Sequence, residues 1–131
     1  MTTRIERDLL GERAVPADAP WGIHSLRAAE NFPLLGRPPH PDLVRAVARV
    51  KIAAARANQA LGFLDAARAE AIVGAARDLA EGRVADAVVV DALQGGAGTS
   101  LNMNLNEVVA NLAEERLGGR RGAYRQVDPH D

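Results

Sequence analysis

Proline is concentrated at one end of the chain, and this distribution limits the fold more than any other feature of the sequence. Six of the seven prolines lie within residues 1–41. An interior proline removes a backbone N–H and collides with the preceding helical turn, so this stretch cannot form a long helix. We predict an irregular arm with short turns or a small hairpin. Its apolar side chains predict that the arm packs onto the rest of the chain: Val15, Trp21, Ile23, Leu26, Phe32, Leu34 and Leu35.

Residues 42–131 carry a different pattern, in which apolar residues recur at helical spacing. A first helix is predicted from Pro41 or Asp42 to Gly62, and a second from a cap at Asp65 to Gly82. The short connection between them predicts an antiparallel pair. The apolar positions that define the two helices are Leu43, Val44, Val47, Val50, Ala54 and Leu61 in the first, and Ala69, Ile72, Val73, Ala76 and Leu79 in the second.

The remaining third of the chain predicts an extended segment, a glycine turn and one more helix. Ala87–Ala92 is short, apolar and β-branched, which is typical of extended backbone. The third predicted helix runs from Ser100 or Asn102 to Leu117 and ends at Gly118-Gly119. The sequence therefore predicts a single, mainly α domain of 131 residues, with an arm over 1–41 and a helical part over 42–131.

Charge and composition exclude several classes of function. The formal net charge is −1, so we expect no nucleic-acid partner and no attraction to an anionic membrane. Without any cysteine the chain has no disulfide, thiolate metal ligand or thiol nucleophile. The longest apolar run, Ala87–Val90, is far shorter than the roughly 20 residues that cross a bilayer. We expect a cytoplasmic protein without a metal site.

Residues Gln94–Asn106, QGGAGTSLNMNLN, carry the most chemical information. Gly95, Gly96 and Gly98 allow positive φ and close approach of a ligand. Thr99 and Ser100 place hydroxyl groups at the start of a helix, where unpaired N–H groups and the helix dipole attract anions. The segment thus predicts a site for a carboxylate or phosphate, although a glycine turn closed by a helix cap has the same local pattern.

Three asparagines follow the glycine turn at positions where good helix formers are expected. Asn102 and Asn106 share a helix face, whereas Asn104 points elsewhere. Such polar groups indicate either a binding site or a buried polar interface. No Gly-Lys-Ser/Thr follows the glycines, so the turn is not a nucleotide-binding P-loop.

The stretch QGGAGTSLNMNLNEVVAN, residues 94–111, is closely similar to the signature of the aspartase and fumarase superfamily. That signature is a glycine-rich turn and a threonine, followed by Asn-Met-Asn and Asn-Glu-Val. Other stretches resemble the opening of the same family: RIERDLLG at 4–11, VPAD at 15–18 and GIHSLRAAENF at 22–32. Leu61-Gly62, Asp91 and Tyr124 also fall where the family has similar residues. The resemblance covers essentially the whole chain.

Within the superfamily, the details resemble the aspartase members. The turn Gly96–Ser100 has the aspartase form, whereas fumarases usually read Gly-Ser-Gly-Thr-Gln there. Gly22-Ile-His24 is also aspartase-like. Pro20-Trp21 and the DPHD of residues 128–131 depart from the common pattern. The resemblance implies reversible elimination of ammonia from L-aspartate to give fumarate, without an organic cofactor. A fumarase-type hydratase is the alternative reaction.

The resemblance also implies roles for individual residues. Thr99 and Ser100 would bind the substrate carboxylate, with Asn102 close by and Gly95, Gly96 and Gly98 forming the loop. Arg27 would contribute positive charge; its alternative is a structural salt bridge. His24 does not match the catalytic-region histidine of the family, and its alternative role is to fill a polar niche in the arm.

The resemblance implies that this chain holds only part of an active site. The serine base, a second conserved block and the central helix bundle would lie beyond residue 131, so no catalytic residue is expected within the chain. In the family, four subunits assemble and each site draws on three of them. We therefore expect an inactive isolated chain, with an exposed apolar surface for the remainder of the enzyme or other subunits. The alternative is a non-catalytic helical interaction module.

Overall fold

The computed structural model describes all residues from Met1 to Asp131. The arm opens with a β-hairpin of two antiparallel strands, β1 (Thr3–Asp8) and β2 (Gly11–Pro16), joined by a two-residue turn. Four helices follow, and they contain 9, 20, 15 and 18 residues: α1 (Ile23–Asn31), α2 (Pro41–Ala60), α3 (Ala66–Ala80) and α4 (Thr99–Arg116). The predicted mainly α fold with a hairpin arm is confirmed.

The predicted glycine stops end three of the helices. Gly62, Gly82 and Gly118 have φ of 79°, 70° and 85°, a conformation that suits glycine because it has no Cβ. After each glycine, the next N–H donates to a carbonyl inside the helix, as Phe63 does to Asn58 at 2.9 Å. The predicted cap of α3 is also present, because the carboxylate of Asp65 accepts the N–H of Arg68 at 2.9 Å.

Helix α4 lies at the centre of the core and contacts α1, α2 and α3. Its buried apolar side chains pack with residues of α2 and α3: Leu101, Leu105, Val108, Val109, Ala110 and Ala113. A second set of buried residues on the same helix is polar and follows a spacing of three, four and three residues. We refer to these residues, Asn104, Glu107, Asn111 and Glu114, as the polar row.

Three members of the polar row bind the backbone of segments that have no regular structure. The Asn104 amide accepts the N–H of Val89 at 2.9 Å and donates to the carbonyl of Ala87 at 2.8 Å. In the same way Asn111 donates to the carbonyl of Pro20 at 2.8 Å, and Glu114 accepts the N–H of Gln126 at 2.9 Å. These contacts satisfy buried polar groups that a helical domain of this size would otherwise leave unpaired.

Helix α1 was not predicted from the sequence, since it lies in the proline-rich arm. Its nine residues contain no proline, and the flanking prolines are Pro20 and Pro33. Glu107 of the polar row accepts the N–H groups of Gly22 and His24 at 2.8 Å, and both the N–H and the hydroxyl of Ser25. A carboxylate more than 80 residues away therefore caps this helix, a contact that local sequence patterns do not reveal.

The segment Ala87–Ala92, for which the composition predicted extended backbone, pairs with no strand. No second strand lies beside it, and the side chain of Asn104 takes the place of a strand partner. Asp91 ties the segment to the arm, because its carboxylate accepts the N–H groups of Leu35 and Gly36 at 2.7 and 2.8 Å.

Helix α2 buries only part of its apolar surface. Val44, Ala48 and Ala55 face the core, while about a third of its circumference carries exposed apolar residues. We call this the outer face of α2: Leu43, Ala46, Val50, Ala53, Ala54, Ala57, Ala60 and the adjoining Leu61. The apolar pattern that predicted the helix includes Leu43, Val50, Ala54 and Leu61. That pattern therefore mixed residues of the outer face with residues that face the core.

Candidate functional site

The glycine turn before α4 has an unusual backbone. Gly96, Ala97 and Gly98 all adopt positive φ, at 77°, 55° and 83°. Ala97 is strained there, because a Cβ disfavours the left-handed region. Glycine is favoured at position 95 for a different reason: a Cβ there would lie 3.1 Å from the Phe32 ring, a tighter contact than side chains usually make. The predicted loop residues Gly95, Gly96 and Gly98 therefore each have a physical role in this turn.

The first turn of α4 exposes few free N–H groups. Thr99 N–H donates to the carbonyl of Gly96 at 3.0 Å, and Leu101 N–H donates to the side-chain oxygen of Gln94. Ser100 N–H and the Ser100 hydroxyl have no partner within the chain. Gly98, the N-cap residue, has no side chain to cap the helix. Ser100 thus supplies the unoccupied donors at the positive end of the helix.

The side chain of Thr99 is exposed at the mouth of the turn. Its hydroxyl donates to the carbonyl of Gly96 at 2.7 Å. An exposed hydroxyl can rotate about its C–O bond and donate to a ligand instead, because the Gly96 carbonyl retains the N–H of Thr99. The arrangement is compatible with binding of a carboxylate and also with a simple turn cap.

Ser100 and Arg27 line the same shallow depression, which has a volume of about 530 Å³. Arg27 forms a bidentate ion pair with Asp8, at 2.7 and 2.9 Å. Arg13, on the same depression, pairs with Glu30 at 2.5 Å. The hydrogen bonds from Arg27 hold the pKa of Asp8 below its ordinary value. Both cations are therefore partly neutralised, and Arg27 forms the structural salt bridge that the sequence analysis gave as the alternative to a binding role.

The three asparagines after the turn have different surroundings. Asn102 is exposed, and its oxygen accepts a hydrogen bond from the Lys51 ammonium at 2.6 Å. Burial lowers the pKa of Lys51. Asn106 donates to the carbonyl of Pro129 at 2.8 Å, which holds the tail against α4. Asn104 and Asn106 thus satisfy buried interfaces, whereas Asn102 lies beside a cation near the turn.

Histidine and acidic residues near the arm do not form a metal cluster. The His24 and His130 rings meet edge to face with centroids 5.0 Å apart, and Asp128 lies 2.8 Å from His130 Nδ1. The chain contains no group of three or more such side chains arranged to hold a metal ion. None of its helices has the length and apolar character needed to cross a bilayer.

Two residues at this site were missed by the analysis of individual side chains. Gln94 was noted only as the first residue of the glycine segment, yet its amide bonds to the first turn of α4. Asp91 was noted only for its resemblance to the family, yet it accepts three backbone N–H groups, from Leu35, Gly36 and Leu93. A polar residue directly before a glycine cluster is the signal that could have identified Gln94.

The hydrogen bonds to the Asp91 carboxylate predict that the folded chain loses stability in acid. The N–H of Leu93 is the main cause that lowers the pKa of Asp91 below its ordinary value of 3.8, with Gly36 and Leu35 adding to it against the effect of burial. A folded pKa below the unfolded one means that the unfolded state binds more protons. The contribution of Asp91 is therefore complete above pH 3.8 and is lost as the pH falls through the folded pKa.

We expect Asp91→Asn to weaken this pH dependence. The measurement is the urea denaturation midpoint of the chain between about pH 6 and about pH 2.5. Asp18→Asn, which changes an exposed carboxylate that makes no side-chain hydrogen bond, is the matched control. Parallel pH curves for the parent chain and Asp91→Asn would contradict the assignment.

Comparison with known proteins finds similar sequences and structures over nearly the whole chain. The family model described as "Lyase" matches residues 11–131. The aspartate ammonia-lyase of a Bacillus species is 47% identical over 127 residues, which cover 97% of this chain and 27% of that protein. A fumarate lyase:delta crystallin structure from Brucella melitensis has a TM-score of 0.93 and 51% identity, covering 99% of this chain and 31% of that one. A class II fumarase from Schistosoma mansoni has a TM-score of 0.90 and 32% identity, covering 98% and 27%.

The match over nearly the whole length, in sequence and in structure, shows that the chain belongs to this lyase family. Its resemblance to the amino-terminal region of aspartate ammonia-lyases is confirmed at about 47% identity. The chain spans between a quarter and a third of the length of these relatives.

Proposed function

We propose that the chain is the amino-terminal part of an ammonia-lyase that converts L-aspartate to fumarate and ammonia. Its contribution is a carboxylate site made by Thr99 and Ser100 at the start of α4. The observation that supports this most directly is the pair of unoccupied Ser100 donors beside the exposed Thr99 hydroxyl. The turn that carries them has the form found in aspartases, in a chain about 47% identical to one.

The chemistry of the elimination explains why such donors are needed. Removing the proton next to a carboxylate spreads negative charge onto the carboxylate oxygens. Donors fixed in place before the reaction stabilise that charge without a reorganisation cost. Ser100 N–H is held by the helix, and Thr99 is held by the strained glycine turn. The two hydroxyls and the single N–H would receive the two carboxylate oxygens. Asn102 and Arg27 would add a polar and a positive neighbour.

The proposed site is completed by other parts of a longer enzyme or by other subunits. The outer face of α2 supports this, because an exposed apolar face of about five helical turns is unusual for a monomer. Alanine at five of its eight positions allows another helix to approach closely. The base that removes the proton would come from outside this chain. As part of the same proposal, residues 1–131 form one domain, with an arm over 1–41 and a helical part over 42–131.

The proposal is tested by joining these 131 residues to the remainder of an aspartate ammonia-lyase and measuring ammonia and fumarate released from L-aspartate. We expect turnover of L-aspartate and no formation of malate from fumarate. The parent lyase, with its own amino-terminal segment, is the control for assembly. Malate formation would support the hydratase alternative. A folded tetramer that turns over neither substrate would support a non-catalytic module.

A further inference from the structure

Gln94 closes the glycine turn at a point where α4 lacks an ordinary cap. Most helices receive a side-chain acceptor from the N-cap residue, but here that residue is Gly98. The side-chain oxygen of Gln94 accepts the Leu101 N–H in its place. The acceptor therefore comes from four residues before the N-cap, across the whole glycine turn.

The Gln94 amide is held in one orientation. Its Nε2 donates to the carbonyl of Asp91 at 3.0 Å, so Oε1 must face the helix. Asp91 is itself fixed by three N–H groups, from Leu35, Gly36 and Leu93. One neutral side chain thus connects the arm, the glycine turn and the first turn of α4.

This connection determines which donors remain free at the turn. Thr99 N–H bonds to Gly96, Leu101 N–H bonds to Gln94, and Asn102 N–H makes the first bond inside the helix, to Gly98 at 3.0 Å. Of the amides in the first turn, Ser100 N–H alone has no acceptor. A carboxylate arriving at the turn then meets one N–H and two hydroxyls.

We propose that Gln94 is a positioning residue for the carboxylate site: anchored on the Asp91 carbonyl, it takes the Leu101 N–H and orients Ser100 and Thr99 toward the substrate. This inference rests on the proposed function. It also explains why an uncharged residue suits the position. A glutamate would accept the Leu101 N–H equally well, but its charge would repel the substrate carboxylate and it could not donate to Asp91.

Two substitutions in the joined full-length lyase test this role. Gln94→Glu keeps size and the acceptor but adds charge, and Gln94→Met keeps approximate size but removes both hydrogen bonds. For Gln94→Glu we expect KM for L-aspartate, and the inhibition constant of the non-reacting dicarboxylate succinate, to rise about tenfold or more. Both increases should shrink as the pH is lowered toward the pKa of the introduced carboxyl. Gln94→Met should raise the same two constants severalfold without this pH dependence.

Gln59→Glu provides the matched control, since it makes the same chemical change on α2 at a residue whose side chain hydrogen-bonds only to Arg56. It should leave both constants unchanged. If the Gln94 variants lower the melting temperature and kcat but leave KM and succinate inhibition unaltered, Gln94 is only a structural link and the inference is wrong. If Thr99→Val also leaves the kinetics unaltered, the carboxylate site itself is wrong. If Thr99→Val impairs turnover of L-aspartate while both Gln94 variants have the kinetic constants of the parent, only the positioning role of Gln94 is overturned.

Discussion

Glu107→Gln is expected to lower the free energy of unfolding by about 3 kcal/mol, because it changes a fully buried acceptor of four hydrogen bonds. Oε2 accepts from Gly22 N–H, Ser25 N–H and the Ser25 hydroxyl, and Oε1 accepts from His24 N–H. A glutamine has one oxygen only. Its NH₂ group would have to face at least one N–H donor, which leaves that donor buried and unpaired.

The charge matters as much as the number of acceptors. A carboxylate at the start of α1 interacts favourably with the helix dipole, and bonds to an ionised acceptor are roughly twice as strong as neutral ones. The effect is measured by urea denaturation of the parent chain and the variant. Glu115→Gln is the control, because Glu115 lies at an exposed position on α4, the helix that carries Glu107. It should change the free energy of unfolding by less than about 0.5 kcal/mol. Equal losses in the two variants would mean that Glu107 does not cap α1.

Thr99→Val is expected to reduce kcat/KM for L-aspartate about a hundredfold in the joined full-length lyase, the range found when one donor to a developing oxyanion is removed. Valine matches threonine in shape and lacks only the hydroxyl. The folded state should change little, because the hydroxyl is exposed and its one bond, to Gly96, contributes modestly.

Thr99→Ser separates the role of the hydroxyl from that of the β-branched shape, since it keeps the donor and removes the methyl group. We expect its kcat/KM to stay within about threefold of the parent. If Thr99→Val turns over aspartate normally but melts at a lower temperature, Thr99 is a cap of the glycine turn. Such a result would overturn the proposed carboxylate site and leave the family membership untouched.

The sequence predicted the parts of the fold that depend on residues close together in the chain, such as helix ends and caps. The glycine stops at Gly62, Gly82 and Gly118 follow from a backbone conformation that other residues avoid, and the Asp65 cap follows from the N–H groups at a helix start. Helix α1 escaped prediction because its cap, Glu107, is remote in sequence. The composition of Ala87–Ala92 likewise could not show that the Asn104 side chain, rather than a second strand, binds its backbone.

In the candidate site, too, features set by neighbouring residues could be predicted and features set by remote contacts could not. Its location at Gly95–Ser100 could be predicted, because glycines, hydroxyl residues and a helix start have a recognisable order. The free donors could not, since they depend on where the Gln94 side chain bonds. Arg27 was predicted as a source of charge, but the pairing with Asp8 across the hairpin depends on the fold of the arm. Whether these residues bind a carboxylate stays a prediction.

The polar row also has a consequence for how the chain reaches its native state. Helical domains usually fold quickly, because most of their contacts join residues that are close in sequence. Here Glu107 bonds to Gly22 and Asn111 to Pro20, across 85 and 91 residues. A ribosome-bound chain that ends before α4 lacks the Glu107 carboxylate and the Asn111 amide, which bind Gly22 and Pro20. These two attachments of the arm to α4 can therefore form only after most of these 131 residues have been synthesised.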